Sequence, residues 1–184
     1  MQIETPRLIL RPVRMEDETS LYKYCNPEPV RRYLLMDDLT PQEWHDYCVQ
    51  MTRRGRDYAI VLRETGEAVG KLNLQNDDIR FEVNSIGLAY EIGEPFMGRG
   101  LMTEALRGFL PYLFETRGYD CITVRVLHPN IASRRLMEKL GFTQEAYFRR
   151  AVRAVRTTGE IYDDVVYSLQ REEWAAASLG AHRG

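Results

Sequence analysis

Tyr90-Glu91-Ile92-Gly93-Glu94-Pro95-Phe96-Met97-Gly98-Arg99-Gly100-Leu101-Met102-Thr103-Glu104-Ala105-Leu106 is the most informative segment of the chain. It joins a β-prone run, Ile86 to Ile92, to a helix in which Met102, Ala105, Leu106, Phe109 and Leu113 recur at the spacing of one buried stripe. Two glycines flank Arg99 just before that helix. Without a Cβ, glycine lets backbone N–H groups turn toward one point, and the helix dipole adds partial positive charge there. The turn therefore suits a pyrophosphate, although a Gly-x-Gly is also a routine strand-to-helix connection. Two other phosphate loops are excluded. No glycine is followed by four residues and Gly-Lys-Ser/Thr, and Thr103 stands where the dinucleotide fingerprint needs its third glycine.

On the N-terminal side, Arg7 to Val13 reads as a strand ended near Pro12, and the acids of Met15-Glu16-Asp17-Glu18 favour a helix start. Asn26-Pro27-Glu28-Pro29 breaks that helix. Thr40-Pro41-Gln42-Glu43 resembles a capping box, which predicts a helix over about Pro41 to Arg54. Tyr58 to Leu62 and Ala68 to Leu74 read as strands joined through Glu64-Thr65-Gly66-Glu67, and with Ile86 to Ile92 they form an antiparallel meander.

Downstream, the helix that opens at Gly100 is expected to end near Arg117-Gly118. A strand from Cys121 to Leu127, a helix over about Ile131 to Leu140 and a last hairpin through Thr157-Thr158-Gly159-Glu160 complete the chain. The strand–helix–strand unit in the middle requires a parallel, right-handed crossover. The expected fold class is thus α/β, with a central mixed, mostly antiparallel sheet flanked by helices. The turn after Ile92 lies at a strand's carboxyl end, where open α/β sheets bind ligands.

Bulk properties narrow the function. The 184 residues, 44% hydrophobic and 28% charged, contain no linker-like tract and are expected to form one domain over 1–184. A net charge of −2 argues against a dedicated nucleic-acid binder. Cys25, Cys48 and Cys121 show neither a disulfide framework nor metal-site spacing, which fits a reducing cytoplasm and no metal. No run approaches the ~18 apolar residues of a membrane span.

A second motif is His128-Pro129-Asn130-Ile131-Ala132-Ser133-Arg134-Arg135-Leu136-Met137-Glu138-Lys139-Leu140-Gly141-Phe142. Asn130 is placed as a helix N-cap. Ser133 falls in the first turn, where its hydroxyl and the Asn130 amide can face the same groove.

With both motifs in hand, the chain resembles the GNAT superfamily of N-acetyltransferases, and within it the RimJ/RimL-like branch. The resemblance runs from Thr5-Pro6-Arg7-Leu8-Ile9-Leu10-Arg11-Pro12 to Asp164-Val165-Val166-Tyr167-Ser168-Leu169-Gln170-Arg171-Glu172-Glu173-Trp174. It implies an acetyl-CoA-dependent transferase. The family's Gln/Arg-x-x-Gly-x-Gly/Ala pattern falls on Met97-Gly98-Arg99-Gly100-Leu101-Met102, with Met97 in place of the polar first residue and Met102 in place of the last small one. The resemblance further implies coenzyme A contacts at Ile92 and Met97 to Met102, Asn130 and Ser133 beside the pantetheine and thiol, and a splay between the two central strands whose exposed edge pairs with pantetheine amides. Many relatives carry a tyrosine seven residues after the asparagine as general acid. Here Met137 stands there, which leaves Ser133 as the nearest candidate.

Acetyl transfer needs a neutral amine, a polarised thioester carbonyl and a proton for the departing thiolate. A lysine amine of pKa about 10.4 is only about a thousandth neutral at pH 7.4, whereas an α-amine near 7.8 is about a quarter neutral. The acceptor expected is therefore the α-amino group of a protein N-terminus, taken by direct attack in a ternary complex. An amino acid, polyamine or aminoglycoside is the alternative acceptor, and a non-catalytic acyl-CoA sensor the alternative role. Neither nucleic acid nor membrane is an expected partner, and the chain is expected to act as a monomer or homodimer.

Glu91, at the end of the central strand, is the first candidate for the base, with Glu145, Asp163 and His128 behind it. Arg149, Arg150, Arg153 and Arg156 crowd the penultimate strand and hairpin and could attract an acidic acceptor. Tyr33, Leu34 and Leu35 in the Pro27–Asp38 loop are the other candidate acceptor wall.

Overall fold

The computed structural model describes residues 1–34, 38–154 and 159–181. Its strands are β1 (Ile3–Glu4), β2 (Leu8–Pro12), β3 (Asp57–Leu62), β4 (Ala68–Gln75), β5 (Ser85–Ile92), β6 (Cys121–Leu127), β7 (Thr143–Arg153) and β8 (Ile161–Gln170). They are ordered β1-β2-β3-β4-β5-β6-β8-β7. The helices are α1 (Glu18–Cys25), α2 (Glu28–Arg31), α3 (Pro41–Arg54), α4 (Leu101–Pro111), α5 (Ile131–Lys139) and α6 (Arg171–Ala181).

The described residues divide into two compact units. One gathers Met1–Leu74, Ala89–Phe109 and Ala154–Glu160, the other Gln75–Leu88, Leu110–Arg153 and Ile161–Gly184.

In the first unit β1, β2, β3 and β4 pair antiparallel in sequence. Thr40 caps α3 as its sequence foretold: the Glu43 N–H donates to Thr40 Oγ1 at 3.3 Å, and Glu43 Oε2 accepts the Thr40 N–H at 2.9 Å. Gly55 ends the helix at φ +62°. Between these stops α3 turns Trp44, Cys48 and Met51 inward, where they pack with Val13, Leu21, Cys25, Ala59, Val61 and Ala68 into a core. Met102, Ala105, Leu106 and Phe109 of α4 are buried as well, so the stripe read at helical spacing is the packing face.

In the second unit β5 and β6 run parallel, with Ser85, Ile86 and Gly87 opposite Cys121, Ile122 and Thr123. This is the crossover required by the strand–helix–strand reading. β6 then pairs antiparallel with β8, and β8 with β7. Phe114 stacks on Trp174 of α6 with ring centres 5.1 Å apart.

Two expectations need correction. The helical run that opens at Gly100 ends beside Arg117-Gly118 as expected, but it is not regular throughout. Pro111 lacks an N–H and its ring crowds the preceding turn, and the chain passes into one wide π turn, Tyr112–Thr116, that buries Leu113 and Phe114. Pro27 and Pro29 do not leave a plain loop, because Glu28–Arg31 forms a short helix with Pro29 in its first turn, where a missing N–H costs nothing. The C-terminal helix α6 and the edge strand β1 were not anticipated. Thr157 and Thr158 of the expected hairpin turn lie outside the described residues. No helix among the described residues is long and apolar enough to cross a membrane.

Candidate active site

The first group of site residues belongs to the first unit. Gly98 and Gly100 adopt φ of +69° and +75°, in the left-handed region that L residues rarely enter. A Cβ on Gly98 would meet nothing within 4 Å, and one on Gly100 only Arg7 Nη2 at 3.7 Å. Glycine is thus demanded by the turn, and the space in front of it is open. Leu101 begins α4 directly behind, so first-turn amides that lack a partner inside the helix face outward from its N-terminus. This arrangement fits a pyrophosphate.

The turn is tied down by residues about a hundred positions away. Glu104 Oε1 accepts from Thr5 Oγ1 at 2.6 Å and from the Arg7 N–H at 2.8 Å, while Oε2 accepts from Arg7 Nε at 2.6 Å. Arg7 Nη1 also donates to the Arg99 carbonyl at 3.1 Å. Burial works against the Glu104 charge, but the bonds from Thr5 and Arg7 outweigh it and hold the carboxyl below its ordinary range. Met97 is exposed, the Arg99 guanidinium lies 5.9 Å from the Phe96 ring centre, and Leu101, Met102 and Ile92 are buried. The two methionines that depart from the family pattern therefore act differently: Met102 packs in the core, and Met97 faces solvent.

Glu91 is buried and faces a lysine. Lys71 Nζ lies 3.4 Å from Glu91 Oε1, and the two side chains are 8% and 6% exposed. Lys71 also donates to Tyr47 Oη at 3.1 Å. Burial disfavours the ammonium, yet the charges of Glu91 and Asp57 and the Tyr47 hydroxyl more than compensate, so Lys71 is held protonated. Cys25 is nearby, its thiol pushed well up, first by burial and then by Glu91. Cys48 is raised to about 12 by burial. Such thiols are poor nucleophiles.

The second group belongs to the second unit, where β6 runs into α5. Asn130 is the N-cap: its Oδ1 accepts the Ser133 backbone N–H at 3.1 Å. The capping bond therefore uses the main chain of Ser133, not its hydroxyl. Met137, at the position where relatives carry a tyrosine, is fully buried.

The other base candidates are engaged. Glu145 pairs with Arg80, which also donates to Thr123 Oγ1 at 2.6 Å. Asp163 accepts from the Tyr147 hydroxyl and, at 2.7 Å, from the Arg150 N–H. The His128 ring meets Tyr147 edge-on with centres 5.3 Å apart. Tyr33 and Leu34 are half-buried; Leu35 and Arg156 lie outside the described residues. Sequence reading missed Lys71, Tyr47, Arg7 and Glu104. Lys71 left a signal, as the one charge inside the apolar run Ala68 to Leu74, whereas the Arg7–Glu104 clamp left none. Among the described residues no group of three or more His, Cys, Asp or Glu could hold a metal ion.

Residues 7–143 match the family described as "Acetyltransferase (GNAT) domain". The [Ribosomal protein uS5]-alanine N-acetyltransferase of Escherichia coli (strain K12) is 31% identical, over 95% of this chain and 93% of that protein. Among solved structures, the GNAT-family acetyltransferase from Bacillus anthracis superposes with a TM-score of 0.83 at 20% identity, covering 94% of this chain and 99% of that one. Mycobacterium smegmatis RimJ in complex with CoA-disulfide superposes with a TM-score of 0.75 at 21% identity, covering 97% and 95%. At these identities the two structures establish the fold.

Proposed function

This chain belongs to the GNAT family of acetyltransferases, and from that premise we propose that it transfers acetyl from acetyl-CoA to the α-amino group of a protein N-terminus. The observation that carries acetyl-CoA as donor is the Gly98–Gly100 turn, left-handed at both glycines, open in front and set at the start of α4. The RimJ-like relative that binds a coenzyme A adduct supports the same donor.

Acetyl-CoA supplies the activated acyl group; the chain supplies binding, orientation and proton handling. Backbone N–H groups over Met97 to Met102 take the pyrophosphate, and Ile92 contributes its main chain toward the pantetheine. Asn130 fixes the start of α5, and the Ser133 hydroxyl in its first turn is assigned to the thiol end. In the transfer the amine nitrogen bonds to the acyl carbon and the C–S bond breaks. Glu91 accepts the proton lost by nitrogen, directly or through water, and the Ser133 hydroxyl relays one to the leaving sulfur while taking a proton from water in the same step.

An α-amine asks least of a carboxylate that Lys71 already holds, because about a quarter of it is neutral near pH 7.4. The 31% identity to a protein named for acetylating an alanine of a ribosomal protein supports the same acceptor class. The test is release of free thiol from acetyl-CoA with a panel of amines. A lysine-free peptide with an open N-terminus should drive release, and an N-terminally blocked peptide carrying lysine should not. Release driven only by free amino acids or polyamines would move the acceptor to small molecules.

A further inference from the structure

The bulge in β7 is a feature that the transfer reaction does not use. Phe148 pairs with Asp164 and Val152 with Tyr162, so Arg149, Arg150 and Ala151 crowd opposite Asp163 alone. Arg150 sits at φ +51°, a conformation arginine rarely adopts. Asp163 holds it there. One carboxylate oxygen accepts the Arg150 N–H at 2.7 Å and the other accepts the Tyr147 hydroxyl. Tyr147, Phe148, Arg149, Arg150 and Asp163 line a cavity of about 760 Å³. Both rings are nearly half exposed, at 45% and 46%, and both arginines are exposed.

The charge of this cavity decides what it can take. Asp163 is the one carboxylate among the lining residues, and its two oxygens are committed to holding the bulge. Arg149 and Arg150 line it together with two aromatic residues and outnumber the one carboxylate, and Arg side chains recognise carboxylates through their planar fork. The place also matters. The His128 N–H donates to the Asp163 carbonyl at 2.9 Å, Leu127 pairs with Asp164, and Asn130 follows two residues on. The cavity therefore adjoins the end of β6 that leads into Asn130 and Ser133.

We propose that this bulge cavity binds an acidic side chain near the amino end of the acceptor, so that N-termini followed by Asp or Glu are the preferred peptides. The inference rests on the α-amine reading of the transfer reaction. Arg149 and Arg150 take the carboxylate, and Tyr147 and Phe148 cover the aliphatic part of the side chain and the adjoining backbone. Phosphate-sized anions alone would leave the aromatic wall unused.

Binding, not turnover, tests the site. N-terminally acetylated peptides, which cannot react, are titrated by fluorescence anisotropy against the coenzyme A-saturated protein at low salt. One peptide carries Glu at its second to fourth positions and its partner carries Gln there. The Glu peptide should bind roughly tenfold more tightly, with the advantage fading as salt is raised. In the Arg149→Gln/Arg150→Gln protein the ratio should fall to near one, and Arg149→Lys/Arg150→Lys should retain part of it. The Arg149→Glu/Arg150→Glu protein, checked for an unchanged thermal midpoint, should favour a lysine-bearing peptide. Equal binding of the Glu and Gln peptides by the unmodified protein, or a preference that survives loss of both arginines, overturns the site. Charge-dependent binding without acetylation of the matching open peptide would keep the site and remove the α-amine reading.

Discussion

Lys71 Nζ and Glu91 Oε1 lie 3.4 Å apart with both side chains less than a tenth exposed, so each is the principal charge partner of the other. Breaking a buried pair from one side strands the remaining charge, at a cost of about 3–5 kcal/mol, whereas replacing both with apolar residues is often neutral. Lys71→Met should therefore destabilise by an amount in that range, and Lys71→Met/Glu91→Leu should recover much of it. Urea unfolding of the two single variants and the double variant checks this; additive losses would mean that the pair is not coupled. Glu91→Gln should in addition lower kcat, as expected of the proton acceptor.

The clamp on the glycine turn carries a pH signature. The Glu104 carboxyl lies below its ordinary range in the folded chain, so its contribution is present above the unfolded carboxylate pKa and is lost as pH falls through the folded one. Thermal midpoints of the unmodified protein should fall below about pH 4.3 more steeply than those of Glu104→Gln. Parallel curves for the two proteins would show that Glu104 makes no such contribution.

Gly98 and Gly100 separate binding from folding. A Cβ on Gly98 meets open space, so Gly98→Ala carries mainly the cost of a left-handed L residue, about 1–2 kcal/mol. The folded variant should nevertheless bind acetyl-CoA at least tenfold more weakly, because the new methyl occupies the cradle. Calorimetry on Gly98→Ala and Gly100→Val checks it, and unchanged affinity in a folded variant would mean that the phosphates bind elsewhere.

Ser133 and Asn130 give opposite outcomes. The cap bond runs from the Ser133 main chain, so Ser133→Ala keeps it, while kcat should fall by up to about 10²–10⁴-fold. Asn130→Ala removes the cap and should cost about 1 kcal/mol. Normal turnover in Ser133→Ala would remove the proton-donor role.

Much of this arrangement is legible in the sequence because its signals are local. The capping box at Thr40 and Glu43, the glycines at 98 and 100 and the asparagine cap at 130 each act within a few residues of themselves, and each stands in the structure where its spacing put it. The parallel pairing of β5 with β6 followed from the helix that lies between them in the sequence. The helical run after Gly100 ends beside Arg117 as its sequence indicated, but its change to a π turn after Pro111 left no periodic signal, because Leu113 keeps to the apolar stripe. The ion pairs Lys71–Glu91 and Arg7–Glu104 join residues 20 and 97 positions apart through strand packing, to which periodicity is blind. The bulge at Arg149 to Ala151 was hidden for the same reason, since the arginines read as a charged run and the Asp163 that folds them lies on the next strand.

The most direct test of the account is to locate the acetyl group on the product. A peptide with an open N-terminus and one internal lysine is incubated with acetyl-CoA and the protein, then sequenced by tandem mass spectrometry. A single acetyl group on the α-nitrogen, formed in step with free thiol, is the expected product. Acetyl found on the lysine ε-nitrogen, or thiol released with no acetylated peptide, would contradict it.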